Sequence, residues 1–170
     1  MIDEIKLLAG AFKNDMIQFR RHLHAHPELS FREFETSSYI QKQLQLIGIS
    51  FTVMATTGIV AIIEGKNPSS RVVALRADID ALPIEEQNDV DYKSKNTGIM
   101  HACGHDVHSA CLLGAVKILH RLKDRWEGTV KCIFQPGEEK NPGGASIMIR
   151  EGVLLNPVPQ KIFALHVHTV

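Results

Sequence analysis

Arg71-Val72-Val73-Ala74-Leu75-Arg76-Ala77-Asp78-Ile79-Asp80-Ala81-Leu82-Pro83 is the stretch on which the fold turns. Val72 to Leu75 are apolar at every position rather than at every second one, so the strand read over Arg71 to Ala77 is covered on both faces. Thr129 to Phe134 is read as covered on both faces likewise over Lys131 to Phe134, and Phe51 to Met54 and Gly58 to Glu64 are further runs rich in Val, Ile and Phe, bounded by Gly, Pro or Asn. Doubly covered strands belong to parallel or mixed sheets that lie between helices.

The helices are legible around these strands. Ile5, Leu8, Ala9, Phe12, Met16, Phe19 and Leu23 recur at threes and fours, which predicts one amphipathic helix from Asp3 to Leu23, closed by Pro27. Glu35 to Ile47 repeats the stripe with Tyr39, Ile40, Leu44 and Ile47, and Gly48 stands where a helix ends on a left-handed residue. Val107 to Leu122 is a mostly apolar helical run, and Gly144 to Arg150 reads as a short helix after the Asn141-Pro142-Gly143 turn. Lys161 to Val170 reads as a buried strand that stops without a turn or polar tail. The expected fold is α/β, a three-layer helix/sheet/helix domain.

Composition bounds the function. The chain has 170 residues, 44% hydrophobic and 22% charged, which is the range of globular proteins. Folding at this length buries roughly 70% of the unfolded surface, so the core needs no disulfide support. Nineteen Lys plus Arg balance nineteen Asp plus Glu, leaving no electrostatic footprint for nucleic acid or an anionic membrane. The longest apolar stretches, such as Ala110 to Val116, are far shorter than a spanning helix, and the acidic Asp3 and Glu4 do not suit a signal peptide. Three cysteines are too few and odd in number for a disulfide framework, which fits a cytoplasmic protein with free thiols.

Ligands of open α/β sheets bind beyond the strand ends, so polar clusters after apolar runs carry the chemistry. Cys103 and His105 offer a thiolate and an imidazole two residues apart, with Gly104 permitting the bend that turns both to one ion. His101, Asp106 and His108 crowd around them. Glu139 and His166 are the carboxylate and second imidazole able to complete the set for a borderline divalent metal. In the Glu138-Glu139 pair, one carboxylate can bind metal while the other takes a proton from the attacking water. Asp78 and Asp80 follow a strand, where a carboxylate either orients a ligating imidazole from outside the ligand set, or forms a salt bridge with Arg76 or a turn cap. His22, His24 and His26 read as a helix end that caps carbonyls or meets the helix dipole, and Cys111 and Cys132 read as core.

Taken in order, these clusters resemble the aminoacylase and carboxypeptidase superfamily of co-catalytic metal hydrolases. The nearest branch is the amidohydrolases, which includes hippurate hydrolase, N-acyl-amino-acid amidohydrolases and indole-acetyl-amino-acid hydrolases. The matching segments are Arg20 to Phe31, Ala74 to Pro83, Met100 to His108, Phe134 to Glu139 and Phe163 to Val167. The resemblance implies a metallopeptidase-like catalytic domain holding two divalent ions, of Zn, Mn, Ni or Co. Cys103, His105, Glu139 and His166 would be ligands, with His168 as a rival for His166; Glu138 would be general base, and Asp80 would support the metal site.

The resemblance further implies that residues 1–170 are the N-terminal part of that domain, truncated before the lid and dimerisation domain and the distal His ligand. The expected activity of the full-length form is hydrolysis of the amide bond of a small-molecule N-acyl amino acid. The alternative is an inactive metal-binding fragment or remnant. No nucleic-acid or membrane partner is expected, and an apolar sheet edge would favour a homo-oligomer.

Overall fold

The computed structural model describes residues 1–168. Its element order is α1 (Ile2–Ala11), α2 (Lys13–Ala25), α3 (Phe34–Ile47), β1 (Phe51–Met54), β2 (Gly58–Glu64), β3 (Val72–Asp78), α4 (His105–Arg121), a single 3-10 turn (Lys123–Arg125), β4 (Thr129–Gln135), α5 (Gly144–Arg150) and β5 (Lys161–Ala164). The five strands form one mixed sheet in the order β1-β2-β4-β3-β5. β1 with β2 and β2 with β4 run antiparallel, while β3 runs parallel to both β4 and β5.

The three expected layers are present, and alternation along the strands explains how they are filled. Ile59, Ala61 and Ile63 of β2, Ala77 of β3, and Cys132 and Phe134 of β4 share one face of the sheet with Phe19, Ile40, Leu44, Leu113 and Val116 from the helices. The intervening residues Val60, Ala74 and Ile133 turn to the other face and meet Met148 of α5 and Val153. The registers Ile59↔Phe134, Ala61↔Cys132 and Leu75↔Cys132 hold the first face together and Val60↔Ile133 the second, and full burial of a side chain such as Phe134 is worth about 1.5–3 kcal/mol. The chain passes from β3 to β4 through α4, the crossover that parallel neighbours require.

Two expectations are corrected. The stripe read as one helix from Asp3 to Leu23 is two helices parted at Phe12, whose φ of −92° and ψ of 4° break the regular backbone. The apolar spacing runs on across a one-residue break, so periodicity cannot register it. Among the described residues the run from Lys161, expected as a buried strand through Val170, is a strand over Lys161–Ala164, and all four of those residues are exposed. The reason is position: β5 pairs with β3 alone and lies at the edge of the sheet among the described residues. Thr169 and Val170 lie outside the described residues. No helix among the described residues is long and apolar enough to cross a membrane.

The parallel strands decide where the chemistry collects. β3, β4 and β5 point the same way, and Asp78↔Gln135 and Arg76↔Ala164 are near their last pairs. The loops that follow carry Asp80, Glu138 with Glu139, and His166, so all of them emerge at one end of the sheet, where α4 begins with His105.

Candidate metal centre

At that end, Cys103, His105 and His166 each present a donor atom within 4.8 Å of the others, and His105, Glu138 and Glu139 do the same. Cys103 Sγ lies 3.5 Å from His166 Nε2, and His105 Nε2 lies 3.8 Å from Glu139 Oε1. The four residues expected as ligands and the expected general base therefore meet around His105. The bend at Gly104 has φ +83°, and a Cβ there would sit 2.3 Å from Val167 Cγ2. Glycine is needed twice over, for the left-handed backbone and for the approach of the segment carrying His166. His166 lies just past β5 rather than on it.

The imidazoles are oriented by their other nitrogens. His105 Nδ1 donates to the Asp80 carbonyl at 2.9 Å, with the Asp80 carboxylate at 3.2 Å, which leaves Nε2 facing the site. His166 Nδ1 donates to the Val167 carbonyl at 2.6 Å, and its Nε2 faces Cys103. Asp80 also accepts from Ser30 Oγ at 2.6 Å and from the Glu139 backbone N–H at 3.0 Å, so it ties the His105 ring to the Glu138-Glu139 loop. Burial alone would raise its pKa; the hydrogen bonds from His105, Ser30 and the backbone of Glu139 and Glu138 hold it at about 2. A third trio, Asp78, His105 and His108, also falls within 4.8 Å. It is already committed. Asp78 binds Arg76 at 2.7 Å and His108 Nδ1 at 2.6 Å, and His108 Nε2 accepts the Val167 N–H at 3.0 Å. Asp78 thus pairs with Arg76, as one reading of the sequence had it, and the imidazole it holds is that of His108.

The donor set fits a divalent cation on charge as well as kind. Burial, then the carboxylates of Glu139, Asp78 and Glu138, push the Cys103 thiol up to about 11. Burial would lower the His105 pKa, but its bond to Asp80 and the charges of Asp78, Asp80 and Glu139 raise it instead. The site thus holds negative charge in excess of its own cations. A borderline divalent ion, bound by thiolate, imidazole and carboxylate, relieves that excess.

Sequence reasoning missed two supports. Glu33 is fully buried and accepts from the Phe31 N–H at 2.9 Å, the Gly137 N–H at 2.8 Å and Thr57 Oγ1 at 2.7 Å, pinning the loop that carries Glu138. His24, read as a helix-end cap, is buried between Asp106 at 2.7 Å and Glu86 at 2.9 Å, with Arg20 Nε 2.8 Å from Asp106. Its carboxylate partners lie 82 and 62 residues away, beyond any spacing rule. His26 does cap a carbonyl, that of His22, at 2.8 Å. Cys132 is core as expected, but Cys111 is exposed, on the outer side of α4. His101 is buried with neither ring nitrogen partnered among the described residues, and burial lowers its pKa to about 4.

Comparison with known proteins accords with this geometry. Residues 74–169 match the model of peptidase family M20/M25/M40. The chain is 48% identical over 153 residues to an N-acyl-L-amino acid amidohydrolase of Geobacillus stearothermophilus, covering 89% of this chain and 41% of that protein. It is 43% identical over 170 residues to thermostable carboxypeptidase 2 of Saccharolobus solfataricus, covering 98% and 42%. The crystal structure of the Bacillus subtilis YXEP protein, described as a dinuclear metal binding peptidase of the M20 family, superposes with a TM-score of 0.87 at 42% identity, covering 94% of this chain and 44% of that one. The chain spans about two fifths of the length of these relatives. With more than half of its residues matched by the family model, the chain belongs to peptidase family M20/M25/M40.

Proposed function

We propose that the chain forms the metal-binding part of a metal-dependent amidohydrolase that cleaves the amide bond of N-acyl amino acids. Supporting this are two trios of donor atoms that share His105, one with Cys103 and His166 and the other with Glu138 and Glu139. In the proposal Cys103, His105, Glu139 and His166 hold divalent metal, of Zn, Mn, Ni or Co, and the cation supplies Lewis acidity toward the amide carbonyl and makes water more acidic. Glu138 takes the proton from the attacking water and passes it to the leaving amine. Asp80 keeps the His105 ring turned so that Nε2 points inward. Glu33 and Asp80 hold the backbone of the Glu138-Glu139 loop, so both carboxylates are aimed without reorganisation.

The substrate class rests on likeness to the Geobacillus amidohydrolase, and the carboxypeptidase relative marks a peptide as the competing substrate. The activity is proposed for the polypeptide of the relatives' full length. For these 170 residues alone the second reading, metal binding without turnover, is favoured by the exposure of Glu138, Glu139 and His166 to solvent. Metal content after equilibrium dialysis, measured beside release of amino acid from N-acetyl and N-benzoyl substrates, tests both. Bound metal with turnover supports the first reading, bound metal without turnover supports the second, and no bound metal overturns both.

A further inference from the structure

His108 belongs to the same short motif as Cys103 and His105, yet it presents no open donor to the site. Both ring nitrogens are used. Nδ1 donates to Asp78 Oδ1 at 2.6 Å, at the end of β3, and Nε2 accepts the backbone N–H of Val167 at 3.0 Å. The other polar group of Val167 is used as well, because its carbonyl accepts from His166 Nδ1 at 2.6 Å. Val167 is thus a junction: its N–H is held by His108, and its carbonyl turns the His166 ring so that Nε2 lies 3.5 Å from Cys103 Sγ. The side chain of Val167 closes over Gly104, and the His108 and His166 ring centroids are 4.7 Å apart. β5 ends at Ala164, so Leu165 to Val167 lie beyond its ladder with β3.

We propose that His108 is a positioning residue which, by accepting the Val167 N–H, sets the His166 imidazole opposite Cys103, with Asp78 fixing the tautomer that leaves Nε2 free to accept. It does so as the Nδ1–H tautomer, the one form that donates to Asp78 while accepting from Val167. This deepens the proposed metal site and rests on it only for its effect on metal affinity; the placement of His166 is a property of the metal-free chain.

The side-chain amide of Asn overlies Nδ1 of His and that of Gln reaches the place of Nε2, so the two halves of the clamp can be removed separately. His108→Asn keeps the bond to Asp78 and loses Val167, whereas His108→Gln keeps an acceptor for Val167. The metal-free 170-residue chain is followed by amide hydrogen exchange at Val167 and by the NMR shifts of the His166 ring. Wild type and His108→Gln are expected to protect the Val167 amide, and His108→Asn to lose that protection and shift the His166 ring signals, at unchanged urea midpoint. In zinc titrations, His108→Asn is expected to bind about 10–100-fold more weakly, as for other groups that orient ligands, and His108→Gln within about threefold of wild type. Adding His108→Asn to His166→Ala should cost nothing further, because both act through one imidazole. Equal Val167 exchange in wild type and His108→Asn overturns the inference, as does equal loss of zinc affinity in the Asn and Gln variants. Absence of zinc binding by wild type overturns the proposed metal site instead, and the exchange result then decides the role of His108 by itself.

Discussion

Cys103 Sγ and His166 Nε2 lie 3.5 Å apart across 63 residues of sequence, joining the turn before α4 to the segment after β5. A thiol and an imidazole brought together at the end of a parallel sheet, with Glu139 Oε1 3.8 Å from the neighbouring His105 ring, form a soft and borderline donor set. Cys103→Ser exchanges the thiolate for a poor hydroxyl ligand. Its zinc content after dialysis is expected to fall by more than about tenfold, with the unfolding midpoint of the metal-free chain unchanged.

In the proposed function the two carboxylates of the Glu138-Glu139 loop separate by role. Glu139→Gln is expected to weaken zinc binding by about 10-fold or more, while Glu138→Gln stays within about threefold of wild type and abolishes any turnover of N-acyl amino acids. Equal metal loss in both variants would show that Glu138 is itself a ligand.

Gly104→Ala places a Cβ 2.3 Å from Val167 Cγ2 on a backbone at φ +83°. The left-handed conformation costs about 1–2 kcal/mol for a residue with a Cβ, and Val167 must also move. Both stability and zinc affinity are expected to fall. Gly98→Ala is the control, since φ there is +75° but the nearest atom, Glu85 Oε2, is 4.0 Å from the added Cβ. That variant should lose stability and keep its metal; zinc loss in both variants would disconnect Val167 from the site.

The fold was readable because its signals are local. Val72–Leu75 and Cys132–Phe134 are apolar on both faces since helices cover both sides, and Gly48 ends α3 at φ +88° as its position suggested. The site was readable in part for the same reason: Cys103 and His105 sit in one turn, and Glu138 and Glu139 in another. What holds these turns together was not readable. Glu33 looks like a solvated acid beside Arg32, and only the sheet brings it within 2.8 Å of the Gly137 N–H. The role of His24 depends on Glu86 from a distant loop and Asp106 from the first turn of α4, and the exposure of β5 depends on which strands pair rather than on which residues it contains.

The His24–Glu86 pair gives a pH signature away from the site. Burial alone would raise the Glu86 pKa, but bonds from His24, the Ser94 N–H and Asn88 hold it at about 2, while the bond to Asp106 raises that of His24. A depressed carboxylate stabilises the fold above its unfolded value, near 4.5, and loses that contribution as pH falls toward 2. A raised imidazole contributes fully below 6.5 and loses its contribution as pH rises through the raised value. Glu86→Gln is therefore expected to cost about 2 kcal/mol in urea unfolding between about pH 4.5 and 6.5, and less on either side. A cost independent of pH would show that packing, not the ion pair, carries the contribution.

The claim that a thiolate and imidazoles of this chain hold a divalent metal is tested most directly by zinc K-edge X-ray absorption of the zinc-loaded protein. One sulfur scatterer at roughly 2.3 Å with nitrogen and oxygen at roughly 2.0–2.2 Å is expected, and the sulfur should vanish in Cys103→Ser. A shell of nitrogen and oxygen alone in the wild-type chain, or a sulfur that survives the substitution, would contradict the account.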